Sequence, residues 1–388
     1  MSGPAQRFGR GAAGGFEALW YSESASAVAA RRALAPLSSL FAAGVSLRRS
    51  LYDAGILRSR HAPAPVISVG GLSVGGSGKT PFVLWLAQRL RDEGRRPCIV
   101  TRGYGGNGAG TVPFLLDTNL AADPRAVERA GDEAVLLALR SGAVVAVGAD
   151  RLRACELAAS QLAGTPDAPD LFLLDDGFQH RRLARDLDVV LVSGFEASQR
   201  LLPAGPLREG VSALSRADAV VVMGQGEAPF ASRRDEAPRG PVAPSLPGWK
   251  GSSAAPLGLR ASTRVCAVVS SVTQTEGEDP SSLAGRSVVA VAAIARPERF
   301  LADLERTGSR IVASVLRRDH HRFDEADRRA IDAAAAHADL VVTTEKDLVK
   351  LAHGALAAPL RALRVEVLVD SAAEEGRLLE RARAGFDR

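Results

Sequence analysis

An α/β fold with a parallel sheet covered on both faces follows from three features of the sequence. Short, continuously apolar runs recur along the chain, amphipathic stretches of helical period separate them, and a glycine-rich turn joins the first run to the first such helix. The runs predict strands at residues 66–69, 98–101, 144–147, 171–174, 189–192 and 219–223, and again at 288–292, 311–315, 340–343 and 365–369. Helices are expected directly after Lys79, around residues 132–139, and over 152–162 and 324–337.

This rhythm divides the chain. Residues 1–60 read as a tail, disordered over 1–15, followed by helical patterning from about residue 16 to 57 that includes a membrane-interface helix; 61–223 form the main sheet core. Residues 224–286 read as a linker with two excursions: 224–262 is rich in Pro, Ser, Gly and Arg, and 270–285 is acidic and polar. Residues 287–388 repeat the α/β rhythm as a smaller block, so two units facing each other across a cleft are expected.

The chain has 388 residues and a net charge of +5, and only four of its 49 basic residues are lysines, Lys79, Lys250, Lys346 and Lys350. A lysine kept in so arginine-rich a chain marks a place where a compact, flexible cation is wanted. The arginines are spread without aromatic interleaving, which excludes a nucleic-acid patch as the reading of the charge. Cys98, Cys155 and Cys266 form no CxxC or Cys/His cluster, and their odd number argues against a disulfide framework and for a reducing compartment. No stretch reaches the ~20 apolar residues of a membrane span. Residues 33–47 come nearest, with Leu37, Leu40, Phe41 and Val45 flanked by Arg31, Arg32, Arg48 and Arg49. That pattern suits either a helix lying in a membrane interface or one packing on the core.

The turn after the first strand is Ser73-Val74-Gly75-Gly76-Ser77-Gly78-Lys79-Thr80. Its glycines let backbone N–H groups converge on phosphate oxygens, Lys79 reaches the β- and γ-phosphates, and the Thr80 hydroxyl suits Mg²⁺. The helix that starts there adds its positive end, and Pro81 is tolerated in its first turn because no N–H is needed there. Ser73 stands where the general G-x-x-x-x-G-K-[ST] pattern has glycine. The strand at 171–174 ends in Asp175-Asp176, carboxylates placed as a Walker B strand places them for Mg²⁺. A P-loop nucleoside-triphosphate core is therefore expected.

Further short motifs follow in order: Thr101-Arg-Gly-Tyr-Gly-Gly106, Gly131-Asp-Glu-Ala134, Asp175-Asp-Gly-Phe-Gln-His180, Leu201-Leu-Pro-Ala-Gly-Pro-Leu-Arg-Glu209, Asp319-His320 and Thr344-Glu-Lys-Asp347. Together they resemble the tetraacyldisaccharide 4′-kinase family of lipid A biosynthesis over roughly residues 19–369. The resemblance implies Mg²⁺-dependent transfer of the γ-phosphoryl of ATP to the 4′-hydroxyl of a tetraacylated glucosamine disaccharide 1-phosphate, at the cytoplasmic face of the inner membrane. It favours the interfacial reading of residues 33–47, and the family accepts a small hydroxyl residue at the position of Ser73. It also implies that Asp132 and His320 act as a dyad, Asp132 either orienting His320 or taking the hydroxyl proton itself, with His321 a neighbouring second imidazole.

Asp175 and Asp176 are the Mg²⁺ candidates, with Glu133 and Glu209 at longer range. Gln179 and His180 are expected near phosphate, water or substrate, and Arg151 and Arg208 near the reacting phosphates or the acceptor's 1-phosphate. Arg102 and Tyr104 lie where a loop at the carboxyl end of the sheet faces the cleft, and Lys346 is left without an assigned role. The competing expectation is a P-loop GTPase, or a metallochaperone-like ATPase, that switches conformation; the chain has no N-K-x-D motif for guanine.

Overall fold

The computed structural model describes residues 16–76, 78–108, 110, 112–224 and 256–386. Three helices come first, α1 (Phe16–Tyr21), α2 (Ala25–Ala33) and α3 (Ala35–Asp53). The first block runs β1 (Val66–Gly71), α4 (Lys79–Asp92), β2 (Pro97–Thr101), β3 (Phe114–Leu116), α5 (Thr118–Ala121), α6 (Ala126–Ala130), α7 (Asp132–Ser141), β4 (Val145–Val147), α8 (Arg151–Gln161), β5 (Leu171–Asp175), β6 (Leu187–Val192) and β7 (Ala219–Met223). The second runs β8 (Leu257–Val269), β9 (Ser287–Ala292), α9 (Pro297–Arg306), β10 (Arg310–Leu316), α10 (Glu325–Ala335), β11 (Leu340–Thr344), α11 (Glu345–Leu351), β12 (Leu360–Val369) and α12 (Ala372–Ala384).

The strands of both blocks join one sheet, ordered β10-β9-β11-β12-β8-β7-β6-β1-β5-β2-β4-β3. The joining strand is β8, which pairs parallel with β7 over Leu257–Ala261 and antiparallel with β12 over Ala261–Val269. This corrects the reading of 224–286 as linker: residues 257–269 are the strand that couples the blocks. Its polar positions, Arg260, Ser262 and Arg264, break the apolar continuity that marked the other strands, because part of β8 faces solvent. The remainder of the first excursion, 225–255, lies outside the described residues, as does the tail at 1–15. The second excursion is pinned rather than loose: Val272 is buried, and Arg364 of β12 donates to the carbonyls of Val272 (2.9 Å) and Gln274 (2.6 Å).

β1, β5 and β6 are buried along their whole length, which is why their sequences read as unbroken apolar runs. One face packs on α4 and α7 through Phe82, Val83, Leu86, Leu90 and Leu137; the other packs on α8 through Leu152, Cys155 and Ala158. Gly70 allows the turn after β5 to close over β1, since a Cβ there would lie 2.5 Å from Cβ of Phe178.

At the N-terminus, residues 33–47 do not form one helix. Leu34 closes α2, and α3 begins anew with Pro36 in its first turn. No residue of α3 is buried; Leu37, Leu40 and Leu47 are 53–70% exposed. The helix is nonetheless fastened to the core. The Ser38 hydroxyl donates to the Leu201 carbonyl (3.0 Å) and accepts from the Ala204 N–H (3.1 Å), and Arg48 donates to the Gln179 carbonyl (3.2 Å). Among the described residues no helix is long and apolar enough to cross a membrane.

Candidate active site

The carboxyl ends of β1, β2 and β5 open onto a cavity of about 1090 Å³, closed on its far side by the second block. Above β1 the chain enters the phosphate loop. Gly75 and Gly78 take positive φ (89° and 79°), and Gly78 caps α4, so the chain turns sharply into the helix. Val74, Gly75, Gly76, Lys79 and Thr80 line the cavity; Ser77 lies outside the described residues. Ser73 pairs with Leu207 as an isolated bridge, and the Val74 N–H donates to the Pro206 carbonyl (2.9 Å). The segment 201–208 thus braces the phosphate loop from one side.

The two acidic residues after β5 differ in role. Asp176 sits at φ 55°, in the left-handed region, and its carboxylate receives both guanidinium nitrogens of Arg208 (2.7 Å each) and the Lys79 ammonium at 3.4 Å. Burial opposes its charge, but these cations hold it well below the usual carboxylate range. Asp175 is fully buried beside Glu133 and Asp176 and has only a long hydrogen bond from Thr101 (3.4 Å). Burial and those two like charges push it up to about 7. Among the described residues no three acidic, His or Cys side chains converge tightly enough to cage an ion. An oxygen donor set of Thr80 and Asp175, completed by phosphate oxygens and water, is the kind Mg²⁺ takes.

Several buried polar atoms around the cavity have no partner among the described residues: Gln179 Oε1, His180 Nε2, Arg151 Nε and Arg208 Nε. Gln179 is fixed by its Nε2 donating to the Gly71 carbonyl (2.9 Å). Arg151 is lowered by burial and by Arg102, and His180 falls to about 4 through burial and the Arg151 charge, so it is neutral at neutral pH. Buried polar groups left unpaired are costly, and a polyanionic ligand would satisfy these. Arg102, Tyr104, Arg151, Gln179, His180 and Arg208 all line the cavity. Glu209 does not. It forms a buried bidentate pair with Arg216 (2.8 and 3.1 Å), beneath the brace.

Across the cavity stands a second cluster. Nδ1 of His320 lies 2.9 Å from Asp132 Oδ1; a carboxylate only accepts, so Nδ1 carries the proton. The Lys346 ammonium sits 3.3 Å from His320 Nε2 and 3.1 Å from both Glu133 and Asp319. Lys350, almost wholly buried, lies 3.4 Å from Asp132 Oδ2 and 2.6 Å from Asp347. The Tyr104 ring packs on His320 with centroids 4.9 Å apart, and Arg322 donates to the Gly105 carbonyl (2.8 Å). His321 is occupied elsewhere: its Nε2 is 2.6 Å from Asp327, which also takes Arg317.

The cluster depends on local backbone. Gly131, at φ 85°, is the cap of α7, and a Cβ on it would lie 2.2 Å from the Tyr104 carbonyl. Only glycine lets the loop after β2 reach the start of α7. Asp132 therefore opens the helix as its first residue. Its carboxylate is opposed by burial but held well below its usual range by His320, Lys346 and Lys350. His320 itself sits at φ 58°. Burial works against its charged form, yet the bond to Asp132 leaves its affinity for a proton above that of an ordinary histidine. Asp176 and His320 are the two non-glycine residues at positive φ among those described. Such backbone costs about 1–3 kcal/mol and collects at functional sites.

Comparison with known proteins supplies the acceptor chemistry that geometry leaves open. The LpxK profile, described as tetraacyldisaccharide-1-P 4′-kinase, matches residues 30–383. The chain belongs to the tetraacyldisaccharide 4′-kinase family. It is 38% identical over 347 residues to the tetraacyldisaccharide 4′-kinase of Syntrophus aciditrophicus, covering 86% of this chain and 87% of that one. It is 39% identical over 374 residues to that of Anaeromyxobacter dehalogenans, covering 91% of each. The crystal structure of the apo form of LpxK from Aquifex aeolicus in complex with ATP superposes with a TM-score of 0.69 at 30% identity, covering 92% of this chain and 99% of that one. A 4′-kinase family core with a large, mostly parallel sheet is what the motifs predicted, and the nucleotide-switch alternative loses its support.

Lys350 went unassigned in the sequence because nothing local distinguishes it. Its scarcity in an arginine-rich chain, together with its place one helical turn after Lys346, was the available signal.

Proposed function

We propose that this protein transfers the γ-phosphoryl group of ATP to the 4′-hydroxyl of a tetraacyl glucosamine disaccharide 1-phosphate, giving a lipid IVA-type lipid A precursor. The observation that carries the reading is that His320, held by Asp132 at 2.9 Å, lines the same cavity as Lys79 of the phosphate loop.

A sugar hydroxyl must lie in line with the γ-phosphorus and lose its proton late in the transfer. His320 is the proton acceptor at Nε2. Asp132 does not line the cavity and is kept ionised by its hydrogen bond to His320 and by Lys346 and Lys350, so it serves to orient the ring and to stabilise the imidazolium. Lys346 holds Nε2 at 3.3 Å and has to release it to the incoming hydroxyl, remaining paired with Glu133 and Asp319. On the other wall, the loop amides, Lys79 and the start of α4 hold the phosphates. Thr80 and Asp175 would hold Mg²⁺, which supplies charge neutralisation to the β- and γ-phosphates when bound. Asp176 is better read as the anchor of Lys79 and Arg208. Arg102, Arg151 and His180 extend the anion-binding wall.

The exposed Leu37, Leu40 and Leu47 on α3, with Arg48 and Arg49 toward its carboxyl end, support seating this helix in the cytoplasmic face of the inner membrane, where the lipid acceptor lies. The boundaries at about residues 60 and 223 are retained as a proposal for functional units, with β8 as the link from the second unit to the C-terminal block.

The test is incubation of the purified protein with γ-labelled ATP, Mg²⁺ and the disaccharide 1-phosphate lipid in detergent. Label is expected on the lipid's 4′ position. Absence of labelled lipid, under conditions where a relative transfers it, would remove the reading.

A further inference from the structure

Lys346 must release His320 before a hydroxyl can reach Nε2, and the surroundings of its ammonium show what it holds until then. The side chain leaves the first turn of α11 and lines the cavity. Its nitrogen lies 3.1 Å from Glu133, 3.1 Å from Asp319 and 3.3 Å from Nε2 of His320. An ammonium has three N–H donors and no acceptor, so these partners use all of it. Glu133 comes from α7, and Asp319 and His320 come from the turn after β10. Because Nδ1 carries the proton that faces Asp132, Nε2 holds the free lone pair of the ring, and the third N–H of Lys346 donates into it. Asp319 Oδ2 also faces Nε2, at 3.6 Å, beyond hydrogen-bond distance. We propose that Lys346 caps the lone pair of the base while no acceptor is bound, so that His320 cannot activate water, and that this makes transfer selective for the sugar hydroxyl over hydrolysis of ATP.

In the suppressed reaction a water oxygen would bond to the γ-phosphorus and pass its proton to Nε2. The bond from that phosphorus to the oxygen bridging to the β-phosphate would break, giving ADP and inorganic phosphate. The cap separates the two nucleophiles by what each brings. A water must displace the ammonium with its own few hydrogen bonds. A sugar hydroxyl arrives tethered to a disaccharide, whose contacts elsewhere in the cavity offset the bond that is lost. Once Nε2 is taken, Glu133 and Asp319 still hold Lys346 in place. Arginine is a poor substitute, because its donors lie in one planar fork, whereas Glu133, Asp319 and His320 are three separate acceptors around one nitrogen. That need accounts for a lysine at this position in a chain where four of 49 basic residues are lysines.

This assignment rests on His320 being the base of the proposed transfer, and two readouts on Lys346→Met keep the claims apart. Methionine keeps an unbranched side chain and removes the donors. The first readout needs no turnover: carbethoxylation of His320 by diethyl pyrocarbonate, which attacks an imidazole nitrogen with a free lone pair. Its rate is followed by mass spectrometry of the digested protein against exposed His337. His320 is expected to react about 10–100-fold faster in Lys346→Met, the range for losing a hydrogen bond to a charged group. The second readout is phosphate release from ATP and Mg²⁺ without lipid. It is expected to rise about tenfold or more in Lys346→Met and to return to the unmodified level in Lys346→Met combined with His320→Gln. Where the thermal melt shows Lys346→Met unfolded, Lys346→Ala takes its place and the same two results are required of it. Unchanged reactivity of His320, lipid-free hydrolysis that stays level or falls, or a rise that persists without His320 would overturn the assignment. If the unmodified protein labels no lipid, the proposed activity fails while the reactivity of His320 still decides the cap.

Discussion

The two walls of the cavity are built in different ways. The phosphate-loop wall is local: the described residues of one short loop, the strand before it and the helix after it produce most of it, and a brace at 201–208 steadies it. The wall around His320 is assembled from distant pieces. His320 and Asp132 are 188 residues apart, and Lys346 and Glu133 are 213 apart. One contiguous segment frames the first wall, whereas charged side chains brought together by the fold make the second. Binding of phosphate can therefore survive damage to the second wall, whereas transfer needs both.

Substitutions test this contrast directly. Lys79→Ala is expected to abolish transfer and to weaken ATP binding strongly, since the ammonium contacts the phosphates in ground and transition states alike. Asp132→Asn is expected to leave ATP affinity within about threefold while lowering turnover by ~10²–10⁴, the range for loss of oriented general-base assistance. Equal losses of binding and turnover in Asp132→Asn would erase the distinction between the walls. Lys350→Met, which removes a buried cation from Asp132 and Asp347, is expected to reduce turnover about 10–100-fold through misplacement of the dyad. Calorimetric ATP binding should not change. The smallest catalytic effect is expected at Glu209, which lies outside the cavity. Glu209→Gln should keep turnover within a few-fold and lower stability by about 1–3 kcal/mol, because it leaves Arg216 partly unpaired in a buried pair. A thermal melt alongside the kinase assay reads both.

The same contrast explains what the sequence made legible. Strands such as β1, β5 and β9 are buried on both faces, so composition alone exposed them, and the phosphate loop announced itself by contiguous residues. β8 was hidden because its solvent-facing arginines and serine imitate a linker. The break between α2 and α3 was signalled by Pro36, yet the apolar run across it masked the stop. Asp132 and His320 were found only through ordered short motifs, and their separation could not be read along the chain. Glu209 looked like a ligand beside Arg208, but its side chain turned to Arg216. Motif spacing favoured His320 over the adjacent His321, and the fold separates them by giving one to Asp132 and the other to Asp327.

The central claim is that His320 accepts the hydroxyl proton across the cleft. Its bond to Asp132 raises its proton affinity above the ordinary histidine value of 6.5. A base must be neutral to act, so kcat/KM is lost as pH falls through that raised pKa and recovered above it. The measurement is the pH profile of labelled-phosphoryl transfer for the unmodified protein and for His320→Gln, with ATP affinity checked at each pH. The unmodified protein should show an acidic limb with an apparent pKa above 6.5, and His320→Gln should lose that limb together with ~10²–10⁴ of turnover. Turnover within tenfold of the unmodified protein, or the same acidic limb retained in His320→Gln, would contradict the account.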